Sequence, residues 1–209
     1  MTSTNLAQND NLDSAKRQQI LDGAKQCFLA KGFDGASMND IVKAAGVSKG
    51  TVYAYFPSKE KLFEALIFRD RRNQAEQIVV INDESLPIGQ VLRQLAMRLG
   101  HLYNSAETIA YLRLVIAASD KFPDIGRAFY EAGPAYATSK IAAYLQSKMD
   151  DGTLVNGDAR LAAMQFMDLL QCGLIKPRLF AAEKMSGDYR VETVIEAGIV
   201  LFLKGLATR

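Results

Sequence analysis

The 209 residues hold 25 Lys and Arg against 23 Asp and Glu, with 49% hydrophobic and 23% charged residues and no Trp. This balance excludes a disordered chain and supplies a sizeable core. No run approaches the ~18 apolar residues of a membrane span, and the opening MTSTNLAQNDNL lacks the apolar stretch of a signal peptide, so a cytoplasmic protein is expected. The charge is uneven. Residues 16–72 carry 11 Lys/Arg and 6 Asp/Glu, a net of +5, while residues 73–209 are net −1. A basic N-terminal third on a neutral body suits a polyanionic partner.

Residues 1–12 read as a flexible polar tail. From Asp13, an apolar stripe of Ile20, Leu21, Ala24, Cys27 and Phe28 predicts a helix that stops at Gly32. Ser37 caps a short second helix, Met38 to about Ala45, with Asp40 supporting its first turn. Gly46 ends that helix, and Ser48 caps a third through Phe56. Pro57 and Ser58 open a fourth, expected to run to about Val80. The Asn82–Pro87 stretch breaks the chain before a helix at Ile88–Tyr103. Asn104 or Ser105 caps another through about Lys121, and Pro123 opens a segment interrupted at Gly133-Pro134. Asp158–Ala182 is read as one 25-residue helix, and Tyr189–Leu206 as the last. The fold class is therefore all-α, with an N-terminal domain at 13–57, a larger helical domain at 58–209, and helix 58–80 connecting them. Cys27 and Cys172, far apart in apolar contexts, read as buried reduced thiols without metal spacing.

The three N-terminal helices, the last two joined by Ala45-Gly46-Val47-Ser48, have the spacing of a helix-turn-helix. Val52 and Phe56 share the inward face of the third helix, with Ile41, Val42, Ala45 and Val47 opposite. Lys49, Gly50, Thr51, Tyr53 and Ala54 are left outward or at its exposed N-terminal end. Lys49 can donate to guanine, Thr51 can meet a thymine methyl, and Gly50 permits close backbone approach. Tyr53, Tyr55, Ser37 and Lys59 suit phosphates, and Ser37 and Ser48 place helix N-termini where amides meet an anion. From spacing alone, core tyrosines and a solvated Lys59 remain an equal alternative. The chain shows no nucleophile elbow, phosphate-binding glycine loop, catalytic carboxylate pair or metal cluster, so neither enzyme, cofactor nor metal is expected.

Ile41-Val42-Lys43-Ala44-Ala45-Gly46-Val47-Ser48-Lys49-Gly50-Thr51-Val52-Tyr53-Ala54-Tyr55-Phe56-Pro57-Ser58-Lys59-Glu60-Lys61-Leu62, with Ala30-Lys31-Gly32-Phe33 and Ser37-Met38 before it, closely resembles the signature of the TetR family of regulators. Arg113-Leu114-Val115-Ile116, Phe122-Pro123 and Ala128-Phe129-Tyr130-Glu131-Ala132-Gly133-Pro134 resemble the C-terminal domain of its AefR-like branch. The resemblance implies a homodimeric, ligand-responsive repressor with two recognition helices on a palindromic operator. It puts Lys49, Gly50, Thr51 and Tyr53 at or near bases, and Ser37, Tyr55 and Lys59 at phosphates. Ala54 departs from members with a larger residue there, so one contact is missing.

In that family the last two long helices pair across the dimer, which implies an interface of Leu161, Phe166, Leu169, Val194, Ile195, Gly198, Ile199 and Phe202; the alternative is that these are core helices within one chain. A largely apolar effector is expected in a cavity for which Met97, His101, Tyr103, Tyr111, Arg113, Phe122, Tyr130, Met164 and Met167 are the candidates. Each of these is more readily read as ordinary core packing, and Arg113 as one arm of a structural ion pair. The rival reading is a helical small-molecule binding protein that does not touch DNA.

Overall fold

The computed structural model describes residues 3–81, 86–182 and 189–206, with side chains from Asp13 onward, and no β-strand forms among them. The helices divide between two compact units, residues 1–70 with 114–129 and residues 71–113 with 130–209. The division falls inside a helix, between Asp70 and Arg71. It lies later than the expected boundary at Pro57, and it adds 114–129 to the first unit.

In the first unit α1 spans Ser3–Gly35 and leaves helical geometry at Gly32 (φ 72, ψ 174). It begins ahead of the apolar stripe and takes in residues 3–12, read from sequence as a tail; that stretch holds neither Pro nor Gly to stop a helix. α2 (Met38–Ala45) and α3 (Lys49–Tyr55) follow. α4 (Lys59–Ile78) starts here and ends in the second unit. Ile20, Leu21, Phe28, Ile41, Val52, Leu62, Phe63 and Leu66 are all buried, each contributing roughly 1.5–3 kcal/mol over exposure. Phe33 joins them, its ring 5.1 Å from Phe63 and 5.4 Å from Phe122. Phe122, expected in an effector cavity, is therefore part of the first unit's aromatic cluster.

The second unit is built from α5 (Ile88–Tyr103), the start of α6 (Ala106–Ser119), α8 (Tyr136–Asp150), α9 (Ala159–Gln171), the short α10 (Lys176–Leu179) and α11 (Val191–Leu206). Ser105 caps α6, its Oγ accepting from Thr108 N at 3.0 Å. α7 (Pro123–Tyr130) lies almost wholly in the first unit. It runs into α8 through a π-turn at Glu131–Ala135. The wider turn accommodates Pro134, which has no N–H and whose ring would meet the carbonyl four residues back. The expected interruption at Gly133-Pro134 is thus a bulge, not a break. Leu92, Leu95, Ile141, Leu145, Phe166, Leu170, Ile195 and Ile199 form the core of this unit.

The expected Asp158–Ala182 helix is corrected. α9 ends at Gln171, and Gly173 takes a left-handed φ of 72, a conformation glycine adopts without the clash of a Cβ. Cys172, at that end, is exposed, whereas Cys27 is buried as expected. The expected chain break at 82–85 lies outside the described residues. No helix is long and apolar enough to cross a membrane among the described residues.

Candidate nucleic-acid interface

The first unit presents α3 on a scaffold of caps. Asp40 N donates to Ser37 Oγ at 3.2 Å, and Ser37 N donates back to the Asp40 carboxylate at 3.1 Å. Lys31 Nζ pairs with the same carboxylate at 2.8 Å. Lys31, then Ser37, hold the Asp40 carboxyl well below the usual carboxylate range. Gly46 turns the chain in the left-handed conformation (φ 63, ψ 36). Ser48 Oγ then accepts from Thr51 N at 3.1 Å and shares a 2.7 Å hydrogen bond with the Thr51 hydroxyl. These contacts define where α3 begins, so the direction of its N-terminal side chains is built in.

α1 fixes the motif from behind. Gln19 Nε2 donates to Ala45 O at 2.7 Å. Gly23 lies so close that a Cβ added there would stand 2.5 Å from Ala45 N. Neither residue stands out in the linear motif; a glycine inside a strongly periodic helix was the available signal.

The residues read as base-contacting are the ones left open. Lys49, Gly50, Tyr53 and Ala54 are exposed, Tyr53 by 42%, while Val52 and Phe56 are buried beneath. Lys49 Nζ lies 5.9 Å from the Tyr53 ring centroid. Ser37, Ser48 and Thr51 are occupied in capping. Tyr55 donates to the Asp13 carboxylate, a partner the sequence did not suggest.

Lys59, read as a phosphate contact, is placed differently. Its Nζ donates to Phe33 O at 2.7 Å and Ala36 O at 3.1 Å, over the Phe33 ring at 4.5 Å. It thus satisfies carbonyls that the end of α1 leaves without helical partners. Lys59→Met should lower stability by about 1.5–3 kcal/mol, read as a fall in Tm, and leave the salt slope of DNA binding unchanged. An unchanged Tm with a shallower slope would return Lys59 to the phosphates.

In the second unit the candidate cavity residues differ in burial. Tyr103, Tyr111 and Met167 are buried and Met97 is half-buried, whereas His101, Arg113, Tyr130 and Met164 are exposed. Arg113 has neither an anion nor an ion pair as its described partner. Its guanidinium donates to Leu179 O at 3.2 Å and Arg178 O at 2.7 Å, capping α10. Buried polar residues that the sequence reading missed are Arg71, Thr108 and Thr138.

The proposed dimer residues separate by face. Phe166, Ile195, Ile199 and Phe202 belong to the core, with the Phe166 and Phe202 rings 5.1 Å apart, so they are not on the surface as expected. Gly198 is buried against Leu169 and Leu170. Leu169 and Val194 are half-buried and Leu161 is 50% exposed. Beside them the structure exposes Met164, Val200 and Leu201, the last by 62%. A groove on this outer face is lined by Gln165, Asp168, Leu169, Cys172, Leu201, Phe202, Gly205 and Leu206.

Residues 20–66 match the model of the tetR family of bacterial regulatory proteins, and residues 90–205 that of the AefR-like transcriptional repressor C-terminal domain. The AcnR repressor of Corynebacterium efficiens is 42% identical over 62 residues, 30% of this chain and 33% of that protein, so the match spans about a third of such relatives. An HTH-type transcriptional regulator of Mycobacterium tuberculosis is 30% identical over 73% of both chains. Among solved structures, a TetR-family regulator from Mesorhizobium loti superimposes with TM-score 0.85 at 29% identity, covering 94% of this chain and 98% of that one. The flavonoid-responsive regulator FrrA superimposes with TM-score 0.79 at 33% identity, covering 94% and 99%.

Proposed function

The chain belongs to the TetR family of bacterial regulatory proteins, and from that membership we propose that it is a transcriptional repressor. Its homodimer holds a two-fold operator through paired α3 helices and releases it when a small molecule binds the second unit. The observation that carries this reading is the exposure of Lys49, Gly50 and Tyr53 on a helix whose start is set by the Ser48 cap. Such an end can enter a major groove with little rearrangement. The reading is of a regulator acting in the cytoplasm and not of an enzyme.

Fluorescence anisotropy of the purified chain on the duplex upstream of its own gene, at two salt concentrations, tests it. Tight binding that weakens steeply with salt and exceeds binding to an unrelated duplex is expected. Equal, weak binding to both duplexes would favour the rival, a small-molecule binding protein.

The dimer face we propose comprises Leu161, Met164, Leu169, Val194, Val200 and Leu201, with the core residues behind them. An isologous contact of this kind gives the half-site symmetry a palindrome needs. Leu201→Asp should convert the dimer to a monomer in sedimentation experiments and reduce operator affinity with it. A dimer of unchanged stability would place the interface elsewhere.

α4 is the element through which we propose the switch acts, because both units hold it at adjacent residues. In the first unit Asp70 pairs with Lys25 at 3.1 Å, and Arg69 with Asp22 at 2.9 Å. In the second, the Arg71 guanidinium lies 4.5 Å from the Tyr111 ring centroid and that of Arg72 3.6 Å from Tyr136. An effector that moves the last turns of α4 therefore moves α1 and, with it, α3. It must bind the two states with different affinity to shift them. Full operator affinity in the effector complex would contradict this route. The flavonoid response of FrrA and the apolar core of the second unit support an effector of the same kind, a largely apolar aromatic molecule.

A further inference from the structure

Two hydroxyls buried in the second unit are poorly served by its own polar groups. Tyr103, the last residue of α5, is 7% exposed, and its O–H finds no acceptor of normal geometry, the Gln171 side chain being the hydrogen-bonding neighbour of the phenol oxygen. Thr138 on α8 is 9% exposed, and its hydroxyl reaches the Met167 sulfur at 3.5 Å, a weak acceptor. Both border the same stretch of α9: Gln171 and Asp168 are the polar neighbours of Tyr103, and Met167 is the partner of Thr138. The surroundings are otherwise apolar, with Leu99, Leu170 and Leu174 in the same cluster. A buried donor left unmade is costly, and such groups call for a partner from outside the chain.

An apolar interior with one or two polar handles is the usual make-up of a small-molecule site. Burial pushes the Tyr103 phenol far up, so it remains a donor at any physiological pH, and the Asp168 charge acts in the same direction. The missing partner is thus an acceptor, and a carboxylate already nearby disfavours a second anion.

We propose that the Tyr103 hydroxyl is the polar anchor of the effector site, donating its hydrogen bond to a carbonyl or phenolic oxygen on a neutral, otherwise apolar molecule. The proposal rests on the effector-binding reading above and adds the residue and the chemistry. Thr138 is the second handle on the same stretch of α9.

Calorimetric titration of the full chain with flavone, which carries a ring carbonyl, and flavan, which lacks it, tests the proposal in wild type and Tyr103→Phe. Flavone should bind wild type, lose about tenfold in affinity to Tyr103→Phe, and fall to the level of flavan there. Without ligand, Tyr103→Phe should melt no lower than wild type, because the ring is kept and an O–H without an acceptor is removed. Equal flavone affinity for both chains would overturn the anchor and leave the effector reading standing. A ligand-free Tm lowered by several degrees would also overturn it, by showing the hydroxyl already bonded. No binding of either probe to wild type would overturn the ligand class and the anchor together.

Discussion

A Lys49→Ala, Tyr53→Ala chain is expected to lose specific operator binding by about 100-fold or more, with its melting temperature unchanged. Each good base contact discriminates by about 1–3 kcal/mol, and two removed together reach that range. Both side chains are exposed, and neither serves the caps or the core, which rest on Ser37, Asp40, Ser48, Thr51, Val52 and Phe56. The 5.9 Å approach of Lys49 to the Tyr53 ring is worth about 0.5–1 kcal/mol at most on an exposed surface, too little to unfold α3. Anisotropy on the operator, with circular dichroism melts of the same samples, checks both halves. Unchanged affinity would move recognition off α3; a lowered Tm would make the pair structural.

Gly23→Ala carries the second large effect. In an open helix this substitution stabilises by roughly 0.5–1 kcal/mol. Here the new Cβ would stand 2.5 Å from Ala45 N and 2.7 Å from Ala45 Cα, and backbone cannot yield as a flexible side-chain tip does. α2 must move off α1, at a cost of about 1–3 kcal/mol, and it takes α3 with it. A lowered Tm and loss of operator binding are both expected. Gly35→Ala on the same helix is the control, since its Cβ would meet only Lys31 Cβ at 3.6 Å, an ordinary contact. A Gly23→Ala chain that melts higher than wild type and binds DNA normally would contradict the close crossing.

The helix-turn-helix was legible because its determinants are local. Ser37 and Ser48 act on amides three residues away, and Gly46 acts on its own backbone. Val52 and Phe56 follow from helical spacing, and they are buried as read. What failed depends on which neighbour a side chain finds. Lys59 looks like any basic residue beside a DNA-binding helix until the end of α1 brings two carbonyls to it. Phe122 is far in sequence from Phe33 yet packs edge-on against its ring. For α9 and α11, apolar residues all round hid which face is core and which is surface. Phe166 and Leu161 are alike in sequence and opposite in burial. The end of α9 at Gln171 was missed because the apolar pattern continues past Gly173 into Leu174 and Ile175.

Selection of bound duplexes from a random pool by the full chain tests the central claim most directly, since it needs no assumption about where the operator lies. Enrichment of an inverted repeat, with half-sites in successive major grooves about one helical turn apart and absent when Lys49→Ala, Tyr53→Ala is used, is the predicted result. A pool that stays unenriched, or that both chains enrich alike, would contradict sequence-specific repression through α3.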